Sequence, residues 1–368
     1  MLKPINQPLC CGALNACRNL QVKLTHWLCD PAIGAGDINV NNLTSPHVPS
    51  QIEANWLWDF LQKIDAGKTL LERAQTIADM PVTDKQQLSN WIISVSNLAS
   101  QFQQLPPPIW PITRPAIPDR AWEAFKELML AFYKKAFRSG LPYLADGTPV
   151  ATGGVNYAQF VDAFRNAHRL KPDPNAREVC VVCGGPLGQT PEVDHWIAES
   201  AYPLLSVCAD NLLPSCGDCN STSNKGPKPV HSDGTFTDWF HPYFCHPNDS
   251  IRLVYDLQTH SITATATSPS EMVKVNNLDK LFNLSERWTR EFKAEYSRQQ
   301  EVLLKRERRR INNSQARHTQ AEVLAHLQNV QDDLLQNEPH FEVHSVLCSA
   351  MLEKSRLAAW QTELGLVS

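Results

Sequence analysis

The sequence predicts an α+β chain in which one short strand–strand–helix unit sits between mostly helical N- and C-terminal regions. Three observations predict it. Two C-x-x-C pairs, Cys180/Cys183 and Cys216/Cys219, bracket a span that reads VDHW, loop, NLLPSC. On either side of that span, apolar residues recur at helical spacing. The third observation is a period-two stretch, Ser250–Thr267, rich in Val, Ile and Thr, which reads as a hairpin.

Each C-x-x-C turn directs two thiols toward one point. Two such turns supply the four ligands of a tetrahedral Zn²⁺ site, here a structural one. Between the pairs, Glu192–Trp196 and Asn211–Ser215 read as strands, and a short helix starts at Cys216. The polar set Asp194, His195, Asn211 and Asn220 lies between and just after the cysteine pairs, with Lys225 close behind.

This arrangement resembles the HNH (ββα-metal) endonucleases, over roughly 50 to 75 residues. The resemblance implies metal-dependent hydrolysis of DNA phosphodiesters, leaving 5′-phosphate and 3′-hydroxyl ends. It implies a general base at His195, because a neutral imidazole accepts a proton from water near neutral pH. Asp194 and Asn220 are then oxygen ligands for a catalytic Mg²⁺ or Mn²⁺. Asn211 is implied to bridge the loop and aim His195. Lys225 is a candidate for neutralising a phosphate. An inactive zinc-binding scaffold and a sequence-specific restriction or homing-type enzyme are the competing readings.

The 368 residues divide by pattern into a helical region with a proline-rich boundary (1–118), a helix–hairpin–helix connector (119–170), the nuclease-like unit (171–248) and a hairpin with C-terminal helices (249–368). In the first region, Ile52, Trp56, Phe60 and Ile64 suggest one helix face. Gly67-Lys68-Thr69 lacks the first glycine of a phosphate loop. Thr83 or Asp84 caps a helix running to about Gln103. Leu105–Asp119 holds too many prolines for helix or central strand. Ala121–Arg138 reads as an amphipathic helix ended by Gly140, Asp146-Gly147 as a hairpin turn, and Asn156–His168 as a capped helix. Cys10, Cys11, Cys17 and Cys29 lack ligand spacing and read as buried thiols. His241 and His246 read as packing residues.

Charge bears on partners. The formal net charge is −4, and between residues 169 and 245 five Lys/Arg face nine Asp/Glu. Phosphate attraction is therefore expected from elsewhere. The strongest basic cluster is Lys305, Arg306, Arg308, Arg309 and Arg310, on a long helix. It is the candidate DNA contact, and restraint by the flanks or a protein partner is expected. The large helical flanks also resemble the plan of HNH effectors in bacterial anti-phage systems of the Septu or Zorya type. With no bilayer-length apolar run, no convincing signal peptide and eleven cysteines, a cytoplasmic protein without membrane insertion is expected.

Overall fold

The computed structural model describes residues 5–168, 178–189, 191–247, 249–256, 258–335, 338–353, 358 and 361–362. The first residues assigned by pattern to the nuclease-like unit, 171–177, lie outside these. The architecture is mixed: helices dominate, with three two-stranded antiparallel sheets among the described residues. None of the described helices is long and apolar enough to cross a membrane.

Helices α1 (Cys11–Leu28), α2 (Gln51–Leu61), α3 (Leu70–Ala78) and α4 (Val82–Ser96) form the first layer. The buried stripe of α2 is Glu53, Ala54, Leu57, Phe60 and Leu61. It is not the Ile52–Ile64 row, since Ile64 is 66% exposed in the next element. A strict four-residue spacing advances about 40° per step around a 3.6-residue helix, so such a row drifts off the core face.

Gly67-Lys68-Thr69 belongs to a two-residue hairpin, β1 (Ile64–Asp65) against β2 (Lys68–Thr69). Ala66 and Gly67 take the left-handed conformation at its turn. Thr69 then caps α3, with Glu72 completing a capping box. Helix α4 starts one residue before Thr83 and ends at Ser96; a separate turn, α5 (Ser100–Gln103), comes next. Burial pushes the Cys11 and Cys29 thiols up to about 12, as expected of inert buried thiols.

The proline-rich stretch is an ordered strap. Trp110 is buried against Tyr202 and Phe236, ring centroids 5.2 Å away in each case. Tyr202 Oη donates to Pro111 O, and Trp91 Nε1 to Thr113 O. The strap thereby ties α4 to the loop between the two cysteine pairs, where Tyr202 sits, and to the segment after them.

Helix α6 (Asp119–Ala131) packs on α3 and widens into a π turn over Phe132–Phe137. The Asp146-Gly147 turn closes a single bridge, Tyr143 to Pro149. Asn156 caps α7 (Tyr157–His168) through its reciprocal bonds with Gln159. The central unit pairs β3 (Glu192–His195) with β4 (Leu212–Ser215), and the one-turn helix α8 (Gly217–Asn220) comes directly after. In register, Asp194 faces Leu213 and His195 faces Leu212.

The C-terminal region begins with the hairpin β5 (Ile251–Asp256) and β6 (Ser261–Ala266). Helices α9 (Met272–Phe282), α10 (Leu284–Asn312), α11 (Gln320–Asp332) and α12 (Phe341–Leu352) complete it. The hairpin lies on α10 and α12, and the apolar seam of α11 and α12 is filled within the chain. One contiguous apolar core links all of these layers.

Candidate active site and metal centre

The four cysteine sulfurs lie within 4.8 Å of one another and are buried. Cys180 and Cys219 are 3.9 Å apart, and Cys183 and Cys216 are 3.8 Å apart. A tetrahedron of thiolates at the usual Zn–S distance has an edge of about 3.8 Å. The spacing is therefore compatible with a bound zinc ion. The first pair sits in a tight turn in which Gly184 N donates to Cys180 O and Gly185 N to Cys183 Sγ. A side chain at Gly185 would meet the His340 ring at 2.9 Å.

The C-terminal helices complete the surroundings of this cluster. Arg287 Nη1 lies 3.3 Å from Cys219 Sγ, and Trp288 Nε1 donates to Cys183 O at 2.8 Å. His340 N donates to Gly184 O. A guanidinium beside the sulfurs offsets the net negative charge that four thiolates and one Zn²⁺ would carry.

A cavity of about 560 Å³ that reaches the end of α8 is lined by Glu192, Asp194, His195, Glu199, Asn220 and Lys225, with Tyr133, Arg138 and Tyr157 from the preceding segments. The strand-end position of His195 suggests an exposed side chain, and the structure corrects that. His195 and Asp194 are each only 7% exposed. His195 Nε2 is 2.9 Å from Ser206 O, which fixes that nitrogen as the donor. Glu199 Oε2 lies 3.3 Å from the same nitrogen. The lone pair of the imidazole is thereby left on Nδ1. Tyr133 meets the ring edge-to-face at 4.6 Å and fixes its plane.

Asp194 Oδ1 accepts from Lys225 Nζ at 3.0 Å, while Oδ2 is buried with no hydrogen-bond partner among the described residues. Burial pushes the Asp194 carboxyl up, against the opposing pull of the Lys225 ammonium. Lys225 also donates to His195 O and is 1% exposed. Its charge is directed at Asp194 and the strand end, not outward. Lys225 is therefore not a solvated lysine: it lines the cavity as an enclosed ammonium held by its buried carboxylate partner.

Asn211 is fully buried and does not line the cavity. Its amide spans the loop: Oδ1 accepts from Ile197 N at 2.7 Å, and Nδ2 donates to Ile197 O at 3.0 Å and Leu205 O. It thus fixes the path from His195 to Ser206. Asn220 does line the cavity; its Nδ2 donates to Glu192, and its amide oxygen has no hydrogen-bond partner among the described residues.

Several contributors are absent from the sequence reading. Glu192 had a signal, since it lies two residues from Asp194 on a strand and shares its face. Tyr133 and Tyr157 had none. Tyr133 Oη donates to Val193 O at 3.1 Å and Tyr157 Oη accepts from Val193 N at 3.0 Å, so both edges of the Val193 backbone are gripped. Ser206 Oγ in turn donates to Met129 O. The preceding helices are a wall of the site. They do not merely cover it.

The basic cluster is only partly available. Lys305 pairs with Glu301, Arg306 bonds His326, and Arg310 pairs with Glu322. Arg308 and Arg309 are exposed. Arg287, at the cysteine cluster, precedes Arg308 by 21 positions on α10, or about 32 Å of helix axis. Any nucleic acid touching both ends would have to span about nine base pairs of B-form rise.

His241 packs in an aromatic box of Phe102 and Phe244, each at 4.7 Å, and Trp196. Burial pushes it down to about 3 from an ordinary 6.5. The folded state therefore binds fewer protons than the unfolded state between those values, and stability falls as pH drops through that window. In His241→Phe the loss of melting temperature between pH 6.5 and 4 is expected to be smaller than in the wild type. Equal slopes in paired thermal melts would contradict it.

The fold and site thus define an α+β protein with a four-cysteine metal-type cluster beside an Asp-His cavity. Among known proteins, protein Ea31 of Escherichia phage lambda is 49% identical over 83 residues, covering 20% of this chain and 28% of that protein. The chain therefore matches well under two thirds of that relative's length. No family model matches the chain, and no solved structure matches it.

Proposed function

We propose that this chain is a metal-dependent endonuclease of the HNH type that hydrolyses phosphodiester bonds in DNA. The observation that carries this reading is the pairing of two groups in one cavity. His195 donates a hydrogen bond from Nε2–H to Ser206 O, which puts the lone pair of the neutral ring on Nδ1, and Asp194 beside it has one buried oxygen without a partner among the described residues.

In this reading His195 Nδ1 removes a proton from water as its oxygen bonds to phosphorus. The P–O3′ bond breaks, and the 3′ oxygen takes up a proton. The unpartnered Asp194 oxygen and the uncommitted Asn220 oxygen fit a hard divalent cation and would be the residues that hold it. Such an ion supplies charge neutralisation at the phosphate and the leaving oxygen. Zinc at the four cysteines is structural. Asn211, Ser206 and Tyr133 keep the imidazole aimed.

The formal charge of −4 gives weak attraction for DNA, so in this reading the full chain cuts slowly by itself at low salt and a protein partner raises the rate by delivering substrate. Its setting is cytoplasmic anti-phage defence, a reading supported by layout. The test is supercoiled plasmid incubated with the full chain and Mg²⁺ or Mn²⁺. Nicked or linear product that EDTA abolishes is expected. Intact plasmid after incubation with folded, zinc-loaded protein at low salt would overturn the proposal.

A further inference from the structure

The cavity contains an imbalance. Three carboxylates line it, Glu192, Asp194 and Glu199. Of its two cations, Lys225 is enclosed and paired with Asp194. The other is Arg138, directly after the π turn. Arg138 is exposed, and no carboxylate pairs with it among the described residues. Its guanidinium carbon stands 5.2 Å over the Tyr157 ring. That ring is itself anchored, because Tyr157 Oη accepts from the Val193 backbone one residue before Asp194. Stacking on an anchored ring restricts the guanidinium without using any of its donors. A planar, unpaired guanidinium fixed beside acidic groups suits an anion with paired oxygens.

We infer that Arg138 is a phosphate-binding residue of this site, contacting the DNA backbone at the cavity, with Tyr157 as the residue that positions it. The inference rests on the nuclease reading above and deepens it. Apart from the divalent ion of that reading, the charged side chains an entering phosphate would meet without Arg138 are carboxylates and an enclosed ammonium. The π turn has a role here too. Its wider winding rotates the residues after it about the helix axis. Tyr133 lies within the turn and Arg138 just beyond it, and both line the cavity.

The test uses the full chain, Arg138→Gln and Arg138→Lys, with a 30-base-pair DNA duplex. Binding is measured in EDTA across a salt series, and cleavage separately with Mg²⁺. Arg138→Gln is expected to weaken binding and lower the slope of log affinity against log salt by about 1, the loss of one phosphate contact. Cleavage falls about tenfold or more, with the melting temperature unchanged. Arg138→Lys retains the salt slope and part of the rate, whereas a merely structural arginine would leave the slope alone in both variants. A wild type that cuts DNA, with Arg138→Gln matching its slope and rate, overturns the Arg138 assignment and leaves the nuclease reading standing. A wild type that neither binds nor cuts the duplex overturns both.

Discussion

Exchanging His195 for Ala is expected to lower plasmid cleavage by about 10²- to 10⁴-fold, the range a positioned general base contributes. The residue is buried, so the simple variant also removes packing against Tyr133. His195→Gln separates the two effects. A glutamine amide can still donate to Ser206 O, yet its remaining atoms have no basicity near neutral pH. Both variants are expected to keep their zinc, because His195 lies outside the cysteine cluster. Ser206→Ala gives a milder, indirect loss, since the bond to His195 is accepted by the backbone carbonyl and the variant removes the hydroxyl's ties to Met129 O and Gln21 Nε2. If His195→Gln nicks plasmid at the wild-type rate, the base has been wrongly assigned.

The parts of this site that the sequence reveals are those made by local spacing. A C-x-x-C turn is a short-range object, so Cys180, Cys183, Cys216 and Cys219 could be grouped without a structure. The same holds for the strands that carry Asp194 and Leu213, which the structure places within one residue of the expected bounds. Burial was not legible. His195 looks exposed at a strand end until Tyr133, 60 residues before Val193 in the chain, closes over it. Lys225 looks like a surface lysine, because nothing local signals a buried partner 31 residues away. The basic run suffers the reverse error. Its count of charges is correct, but Glu301, His326 and Glu322 engage three of the five side chains. For the proline-rich stretch the sequence leaves two readings open, a free linker and an ordered loop strapped down by Trp110, and the buried Trp110 selects the second.

That dependence on distant walls bears on the effect of removing the metal. Cys219→Ser, or prolonged treatment with a strong zinc chelator, is expected to lower the melting temperature by at least about 10 °C and to reduce soluble yield. Apparent zinc affinities in small four-ligand sites amount to about 10–16 kcal/mol, which is on the scale of a whole domain's stability. The effect should not stay local. Arg287 and Trp288 on α10 and the His340 backbone all bond to the cysteine turns, so α10 and the start of α12 lose their seat when the turns open. Four buried sulfurs without a metal would also crowd without compensation, and the Arg287 guanidinium would face neutral thiols. Elemental analysis of the wild type should return one zinc per chain, and hydrogen exchange on the chelated protein should speed up in β3, β4 and the first turns of α10 together. Cleavage would be lost in the same step, which separates this variant from His195→Gln, where zinc and melting temperature persist while activity does not. Soluble, metal-free protein that still cuts DNA and melts at the wild-type temperature would remove the metal from the account of this fold.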